Sequence, residues 1–356
     1  MAPFFEPAWA HGGMARASAG LARALAGRGH EVTVVTARLD PCHRKEEREG
    51  RLRVLRFEGP EFLGRRLLPW APALGGFLRG EGGGFDVAHV HGHRSGLAWT
   101  ASRALLASGV GYVLQTHGTL PHHGQRRIAK VVFDRLAGDR VVAGAATLVA
   151  VSDAEARDLP RPARVVPNGV EPCGEASREP FRAGEILFVG SDAFQKRAQV
   201  LPRLLADLPG ARLHVVGRFA PSFLEAFGAQ RDRVRTSGVL HGDALARAYA
   251  SADLVVHPAA GEAFGFVPFE AALHGTAAVV AGGHGCGEWY GRAGGCVVPP
   301  DDPTALAAAV KARLDDPTRR EVEARGVAAF SRRELTWDRA AEAMEGVYDE
   351  VVSARG

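Results

Sequence analysis

The chain has 356 residues, of which 46% are hydrophobic and 24% charged, and its formal net charge is +4 at pH 7. This length indicates two domains of ordinary size, and the composition excludes an intrinsically disordered chain. The slight basic excess is scattered along the sequence, which argues against a nucleic-acid-binding protein and favours anionic ligands or lipid surfaces.

Cysteine usage and apolar runs indicate the compartment. The four cysteines lie far apart without the spacing of a metal site, so we expect reduced thiols: Cys42, Cys173, Cys286 and Cys296. No apolar run approaches the roughly 18 residues that suggest a membrane span. The first residues lack the basic start and apolar stretch of a signal peptide. We therefore expect a cytoplasmic protein, with at most peripheral contact with the inner membrane face.

In the first half, short Val-rich runs alternate with segments of helical periodicity, which is typical of a parallel α/β fold. The predicted strands are 31–37, 52–59, 86–92, 112–118, 146–152 and 163–169. The first strong helix, 13–28, has little chain before it. Only residues 1–5 could supply a central strand, and Pro3 cannot donate to a ladder. Either the natural chain starts further upstream, as we expect, or this domain is built without that strand.

The second half repeats the alternation after a turn at Asn168-Gly169 and a polar stretch, 171–184, with two prolines and two glycines. Its predicted strands are 185–190, 211–217, 234–240, 254–259, 278–283 and 296–299. Two sets of about six strands predict two doubly wound domains. Each domain would bind ligands at the carboxyl ends of its strands.

The most informative stretch, 261–275, joins a strand to a helix through a glycine-bracketed turn. It holds Glu262 and Glu270 eight residues apart, with Pro268 acceptable in the first helical turn. Free N–H groups at a helix start attract phosphate, and a carboxylate there can accept hydrogen bonds from ribose or hexose hydroxyls. The alternative is a solvated Glu262 and a helix-capping Glu270.

This stretch resembles the Glu-x7-Glu signature of the retaining glycosyltransferases of family 4, which have the GT-B fold. Other family-like motifs keep the same order along nearly the whole chain: 11–13, 21–36, 117–119, 167–170, 251–253, 278–283 and 299–301. The resemblance implies two Rossmann-like doubly wound domains that face each other across a cleft. Residues 1–169 would bind the acceptor, completed by a C-terminal helix at 337–356, and residues 170–336 would bind the nucleotide sugar.

The resemblance also implies roles for the residues of the signature. Glu270 would hold the ribose hydroxyls of the nucleotide, and Glu262 would lie near the ring hydroxyls of the transferred sugar. The backbone of four residues between them would face the sugar and the diphosphate: Phe264, Gly265, Phe266 and Val267.

A second segment, in which Gly190 is followed by Lys196 and Arg197, looks like the family's diphosphate clamp. The family often has Arg directly after that glycine and Gly after the Lys, where this chain has Ser191 and Arg197. We assign the two cations to the clamp without separating their roles. The alternative is a basic turn that opens a helix at 198–207. We disfavour it because cations at a helix start oppose the dipole unless an anion binds there.

The first domain offers three further candidates. Gly12 and Gly13 open the first helix in a loop that approaches the diphosphate in the family, although a plain tight turn would look the same. His117 ends a predicted strand and would contact the donor sugar near the reacting carbon, unless it is an ordinary strand-end histidine. Arg94 and Lys130 lie where family members often line the acceptor side.

Three alternating histidines, His89, His91 and His93, would share one face of a strand. We expect packing or hydrogen bonding there rather than a metal site, because no set of Cys, Asp or Glu lies nearby in the sequence. The pair at 122–123 is interpreted as part of a loop.

Two other segments have an ordinary structural interpretation. Asp301 and Asp302 precede Pro303 and Thr304, and we expect them to cap a helix. The segment 61–80 combines basic and aromatic residues that could dock on an anionic membrane, but we prefer a packed surface segment.

The implied reaction moves a hexose-type sugar from a UDP- or GDP-sugar to a glycan, lipid-linked or small-molecule acceptor, with domain closure joining the substrates. Catalysis would rest on His117, Lys196, Arg197 and Glu262. The two cations would neutralise the leaving diphosphate, so we expect no metal and no other cofactor. Front-face attack is favoured over double displacement because we see no convincing nucleophilic carboxylate. The alternatives are a nucleotide-sugar epimerase of this fold and a non-catalytic nucleotide-sugar-binding homologue.

Overall fold

A computed structural model describes residues 1–7, 12–40, 42–59, 71, 73–81, 84–120, 127–176 and 184–354. Three segments discussed above lie wholly or mostly outside these residues: position 11, the pair at 122–123, and the segment 61–80. The chain divides into two compact units. Unit 1 comprises Met1–Gly169 and Trp337–Gly356, and unit 2 comprises Val170–Thr336.

Unit 1 alternates strands and helices. Its elements are α1 (Gly13–Gly27), β1 (Val32–Ala37), β2 (Glu46–Glu49), β3 (Leu52–Phe57), α2 (Ala73–Glu81), β4 (Ala88–His91), α3 (Gly96–Ala107), β5 (Tyr112–Gln115), α4 (Arg127–Phe133), α5 (Asp139–Gly144), β6 (Thr147–Ala150), α6 (Asp153–Arg157) and β7 (Ala163–Val165), with α14 (Trp337–Ser353) at the end of the chain. A π-helical turn, Asp134–Gly138, joins α4 to α5.

The strands of unit 1 form two groups, ordered β1-β3-β2 and β4-β5-β6-β7, and all pairs are parallel except β2 with β3. Met1 and Ala2 hydrogen-bond to both groups. The Ala2 N–H donates to the Val35 carbonyl at 3.0 Å, and the His91 N–H donates to the Met1 carbonyl at 2.9 Å. The terminal ammonium donates to the His89 carbonyl at 2.8 Å. This segment therefore occupies the place of the central strand in a doubly wound sheet.

The helix α14 packs on unit 1, although unit 2 separates it from the rest of that unit in sequence. Met344 belongs to one buried cluster with Leu21 of α1 and Val113 of β5. At the rim, Arg28 donates to Glu345 at 2.7 Å and to Asp338 at 2.9 Å. Apolar burial supplies most of the attachment, because partly exposed ion pairs contribute about 1 kcal/mol or less.

Unit 2 contains β8 (Glu185–Ser191), α7 (Leu201–Ala206), β9 (Arg212–Arg218), α8 (Pro221–Glu225), β10 (Val234–Thr236), α9 (Gly242–Ser251), β11 (Leu254–His257), α10 (Val267–Leu273), β12 (Ala278–Ala281), α11 (Gly285–Arg292), β13 (Cys296–Val298), α12 (Pro303–Leu314) and α13 (Pro317–Glu334). Short 3₁₀ turns lie at Phe194–Lys196, Ala198–Val200 and Gly228–Arg233.

The strand order of unit 2 determines where its site lies. The six strands are all parallel in the order β10-β9-β8-β11-β12-β13. Numbered within the unit, this is 3-2-1-4-5-6, the order of a dinucleotide-binding fold. The order reverses between β8 and β11. Sheets of this kind bind ligands outside the carboxyl ends of those two neighbouring strands, beside the loops that follow them.

One observed strand was not predicted, and several predicted elements have other bounds in the structure. The strand β2 was not predicted because Glu46–Glu49 is wholly charged; it forms by antiparallel pairing with β3. The strand predicted at 234–240 ends at Thr236, and Gly238 then takes a φ of 61°. The helix predicted at 198–207 begins as a 3₁₀ turn and becomes α-helical only at Leu201.

Candidate functional site

The predicted residues fall into two groups, one in each unit, and the group in unit 2 centres on an ion pair. Lys196 lies in the loop after β8 and Glu262 in the loop after β11. The Lys196 Nζ is 2.5 Å from the Glu262 Oε2, and about a quarter of each side chain is exposed. A backbone hydrogen bond of 2.9 Å, from the Ala260 N–H to the Gln195 carbonyl, joins the two loops. The two loops of the switch point therefore meet through both backbone and charge.

The electrostatics around Glu262 favour its ionised form. Burial raises the pKa of this carboxyl, but Lys196, together with His257 and His284, outweighs burial and holds the pKa below its usual value. The His257 Nε2 lies 3.9 Å from the same Oε2 and, among the described residues, has no hydrogen-bond partner. Burial, with the Lys196 charge second, lowers the pKa of His257 to about 3, so this imidazole is neutral near pH 7.

The turn between the two glutamates depends on Gly265, whose φ is 75°. A Cβ added there would lie 2.6 Å from the Cys286 Sγ and 2.9 Å from the Glu262 Cγ. Both the left-handed backbone and the lack of space require glycine. Cys286 is buried in α11, and its N–H donates to the Glu262 carbonyl at 3.2 Å. The carboxylate is thus carried by a turn packed against a second helix.

Glu270 is buried in the first turn of α10, and the Tyr249 hydroxyl donates to its Oε2 at 2.9 Å. The helix begins after Phe266, whose side chain makes no capping hydrogen bond. The interpretation of Glu262 as a solvated side chain is wrong, because its carboxylate pairs with Lys196. The flanking Phe264 is buried too, its ring 5.4 Å from that of Phe269.

The two predicted clamp cations bind different carboxylates. Arg197 forms an ion pair with Asp301, whereas Lys196 binds Glu262. Arg197 has a φ of 53°, the left-handed region that favours glycine. Of the two aspartates expected to cap a helix, Asp302 does so, because its carboxylate accepts from the Ala305 N–H at 2.8 Å. The carboxylate of Asp301 instead pairs with the arginine. Gly190 lies near the end of β8, ahead of this loop.

In unit 1, the two loop glycines lie at the start of α1, and His117 lies just beyond the end of β5. Gly12 precedes α1 with a φ of 81°, which a residue with a Cβ rarely adopts, and Gly13 is the first helical residue. His117 follows β5 in a turn and has a φ of 51°. Its Nε2 is 2.8 Å from the His91 Nδ1. Burial lowers the pKa of His117 to about 4, so the ring is neutral near pH 7.

The predicted histidine row is only partly confirmed. The rings of His89 and His91 stack at 4.2 Å on one face of β4, as the alternation predicted. His93 lies beyond the end of β4, where Gly92 turns the chain with a φ of 69°. Its Nδ1 is 2.9 Å from the Thr119 Oγ1, so it leaves the row.

Sequence reasoning missed Glu155, a buried glutamate beside His117. One of its oxygens accepts hydrogen bonds from the Thr116 hydroxyl at 2.6 Å and from the Gly118 N–H. The other accepts from the Val151 N–H at 2.7 Å. The local signal was present, because Ser152-x-x-Glu155 has the spacing of a capping box. Ser152 indeed caps α6 by accepting from the Glu155 N–H at 3.1 Å.

Arg94 has a structural role within unit 1. Its guanidinium contacts both carboxylate oxygens of Asp134 and donates to the backbone carbonyls of Thr119 and Leu120. About a tenth of its side chain is exposed. Burial lowers the pKa of the neighbouring Lys130. The acceptor-side role of both residues stays a prediction.

One group of potential metal ligands occurs in the described part of the chain. It comprises Asp40, Cys42 and His43, whose ligand atoms lie within 4.8 Å of one another near the surface. None of the predicted site residues belongs to it. Within the same described ranges, no helix combines the length and the hydrophobicity that crossing a bilayer requires.

Both halves of the chain match known families. Residues 12–169 match the glycosyl transferase 4-like domain, and residues 183–316 match the glycosyl transferases group 1. The chain is 32% identical to a D-inositol 3-phosphate glycosyltransferase of Xylanimonas cellulosilytica, over 94% of this chain and 91% of that protein. It is 33% identical to a glycogen synthase of Mycobacterium tuberculosis, over 52% of this chain and 47% of that protein.

Solved structures share the fold. Sucrose-phosphate synthase from Thermosynechococcus elongatus aligns with a TM-score of 0.81 and 22% identity, over 96% of this chain and 94% of that one. Anabaena HepE, solved with UDP-glucose, aligns with a TM-score of 0.65 and 18% identity, over 83% and 86% of the two chains. Together with unit 2's strand order, these alignments identify the fold as GT-B.

Proposed function

Because the chain belongs to the family-4-like glycosyltransferases with the GT-B fold, we propose that it moves a hexose-type sugar from a UDP- or GDP-sugar to an acceptor. The transfer retains the anomeric configuration and needs no metal ion. The acceptor is a glycan, a lipid-linked sugar or a small molecule. We further propose that the protein works in the cytoplasm, with at most peripheral contact with the membrane.

One observation carries the proposal: the Lys196–Glu262 pair lies at the switch point of the sheet in unit 2. An ammonium beside a crevice of this kind attracts a diphosphate, and a carboxylate next to it can accept hydrogen bonds from sugar hydroxyls. Glu270 follows eight residues later, in the first turn of α10, and its carboxylate would hold the ribose. In this proposal the three side chains bind the diphosphate, the sugar and the ribose of the donor.

The comparisons support a nucleotide-sugar donor and leave the acceptor broad. HepE was solved with UDP-glucose and has this fold. The relatives named above act, by their names, on a phosphorylated inositol in one case and on glycogen in the other. A small phosphorylated polyol and a glycan are therefore the first acceptors to test.

In the proposed reaction, the bond between the anomeric carbon and the diphosphate oxygen breaks with its electron pair on the diphosphate. The acceptor hydroxyl bonds to the same face of that carbon, and its proton passes to the departing phosphate oxygen. Lys196 and Arg197 stabilise the charge that develops on the leaving group. We favour front-face attack over double displacement, because the proposed role of Glu262 is to bind the ring hydroxyls of the sugar and not to attack the anomeric carbon. His117 contacts the donor sugar near the reacting carbon.

Metal independence follows from the same charges. Two side-chain cations at the diphosphate provide the neutralisation that a divalent ion provides in other transferases. We expect EDTA to leave the transfer rate unchanged. A large loss of rate that Mg²⁺ or Mn²⁺ restores would contradict this part of the proposal.

The donor is tested with a panel of UDP-, GDP- and ADP-sugars in a thermal-shift assay. A ligand at 100 times its dissociation constant stabilises the folded state by about 2.7 kcal/mol. The best donor is then incubated with the protein and followed by NMR. Slow hydrolysis or transfer with retained configuration supports the proposal. An epimerised sugar indicates the epimerase alternative, and binding without turnover indicates a non-catalytic homologue.

A double variant tests the clamp. Lys196→Ala with Arg197→Ala should lower kcat by about 10²- to 10³-fold, because charge stabilisation is lost mainly in the transition state. Glu270→Ala should instead raise the donor KM, because the ribose is bound equally in the ground and transition states. Full activity of the double variant would refute the clamp assignment.

A further inference from the structure

The turn that carries His117 holds it in a strained conformation. Residues 116–119 close on themselves, because the Thr119 N–H donates to the Thr116 carbonyl at 3.1 Å. His117 has a φ of 51° inside this turn, which is uncommon for a residue other than glycine. Strained conformations of this kind persist only when the surrounding contacts maintain them. The structure shows two such contacts, one on the backbone and one on the ring.

Glu155 holds the backbone. A single oxygen of its carboxylate accepts hydrogen bonds from both residues that flank His117, namely from the Thr116 hydroxyl at 2.6 Å and from the Gly118 N–H. The second oxygen accepts from the Val151 N–H at 2.7 Å. These donors occupy three of the roughly four acceptor sites of the carboxylate. Burial raises the pKa of Glu155, and the three hydrogen bonds act in the opposite direction. The residue is 5% exposed, and a charge buried this deeply requires such partners.

His91 holds the ring. Its Nδ1 is 2.8 Å from the His117 Nε2, and the two rings are nearly parallel at 5.1 Å. Both imidazoles are neutral near pH 7 because burial lowers both pKa values. Two neutral rings can form this bond only if one N–H lies between them, so the tautomers of the two histidines are linked. His89 stacks on the far side of His91 and binds the Tyr348 hydroxyl of α14 at 2.7 Å, which fixes the His91 ring in turn.

We infer that Glu155 and His91 are positioning residues for His117: Glu155 sets the turn, and His91 sets the rotamer and tautomer of the ring. The inference rests on the proposed function, in which His117 contacts the donor sugar. Neither residue needs to touch a substrate. Their loss should lower kcat by about 10²-fold, because displacements near 1 Å have effects of that size. The affinity for UDP, which lacks the sugar, should hardly change.

The experiment compares matched substitutions in the full-length protein. Glu155→Gln keeps the shape of the side chain but turns an N–H toward a donor. Its control is Ser152→Ala, which removes the cap of the same helix, α6, but none of the groups that bond Glu155 to Thr116 and Gly118. Ser152→Ala should lower Tm while kcat stays close to the unsubstituted value. Glu155→Gln should lower kcat sharply, with the UDP dissociation constant unchanged.

For the ring, His91→Asn keeps a polar group close to the position of Nδ1, and His91→Leu keeps only bulk. We expect His91→Asn to retain more of kcat than His91→Leu. The ¹⁵N and ¹H shifts of the His117 side chain provide a readout independent of turnover. These chemical shifts should change in Glu155→Gln and His91→Leu, and should remain unchanged in Ser152→Ala.

The variant His117→Asn distinguishes failure of the positioning inference from failure of the role proposed for His117. If His117→Asn lowers kcat while Glu155→Gln and His91→Leu leave it unchanged, the positioning inference is overturned and the proposed function stands. If His117→Asn keeps full kcat with a verified donor, the assignment of His117 fails, and the positioning inference fails with it. A fall in Tm without a fall in kcat for Glu155→Gln would assign that residue a structural role only.

Discussion

The Lys196 ammonium lies 2.5 Å from the Glu262 carboxylate, although 66 residues separate the two in sequence. They meet because β8 and β11 are neighbours in the sheet and each loop leaves a carboxyl end. The pair has a functional consequence. An anion that bound Lys196 would compete with Glu262 for the same ammonium, so the proposed donor binding would be coupled to the charge of Glu262.

Replacing Lys196 by Met should weaken UDP binding by about 10- to 100-fold, because a hydrogen bond to a charged group contributes about 1.5–3 kcal/mol. Isothermal titration calorimetry measures this change. The matched control is Lys311→Met, since Lys311 forms an exposed pair with Asp315 on α12. The control should bind UDP like the unsubstituted protein. Equal affinities in all three proteins would exclude Lys196 from the diphosphate site.

Glu262→Gln should separate binding from turnover. The substitution removes the charge that competes for Lys196, so UDP should bind as tightly as before or up to about 10-fold more tightly. Transfer should nevertheless slow, because the carboxylate that would bind the sugar hydroxyls is lost. The measurements are the UDP dissociation constant and kcat on one preparation. Weaker UDP binding in this variant would contradict the competition.

Tyr249→Phe removes the hydroxyl that donates to Glu270. We expect a loss of about 1–3 kcal/mol in the free energy of unfolding, since a buried acceptor loses a partner. Donor affinity should fall as well, because Glu270 would be oriented less well. Tyr290→Phe is the control: that buried hydroxyl accepts from the Ala278 N–H at 2.8 Å. Tyr290→Phe should lower the free energy of unfolding by a similar amount and leave the donor KM unchanged.

Two glycines near the ends of α10 separate backbone strain from crowding. Both are left-handed, with φ of 75° at Gly265 and 84° at Gly275. A Cβ at Gly275 meets nothing within 4 Å, whereas at Gly265 it would overlap Cys286 and Glu262. We expect Gly275→Ala to lower the free energy of unfolding by about 1–2 kcal/mol, and Gly265→Ala to lower it by about 1–3 kcal/mol more. Urea unfolding measures both. Only Gly265→Ala should also lower kcat, by displacing Glu262.

The buried histidines predict that the protein loses stability in mild acid. Burial lowers the pKa of His214 and of His117 to about 4, and lowers that of His91 well below its usual value. Between pH 6.5 and 4, the unfolded chain binds protons that the folded chain does not, so the free energy of unfolding falls as the pH falls. Each such histidine contributes about 1 kcal/mol between pH 7 and 5.5.

Urea titrations at pH 7 and pH 5.5 test this dependence. His214→Gln should show a smaller difference between the two pH values, by about the contribution of one histidine. His214 lies on β9, away from the residues proposed for catalysis, so kcat should not change. A difference equal to that of the unsubstituted protein would contradict the neutral, buried state of His214.

Local patterns predicted much of the fold. Continuous Val-rich runs mark buried parallel strands, and a period of about 3.6 residues marks amphipathic helices. Both patterns can be read within a short window, and they predicted most strands of both units and α1. The sequence also predicted the turn from β11 into α10, with Glu262 before the helix and Glu270 inside it. This prediction was possible because the two glutamates are close in sequence and belong to one loop and the helix that follows it. The charged edge strand β2 was missed because it lacks such a pattern.

The sequence did not show which side chains from distant segments pair with each other. Sequence reasoning treated Lys196 and Arg197 as one cationic pair, but the fold gives one to Glu262 and the other to Asp301. It likewise overlooked Glu155 as the group that holds the His117 turn. Hydrogen bonds and ion pairs reach only about 3 Å. Which groups come that close depends on strand order and on the ends from which loops emerge, and long-range packing decides both.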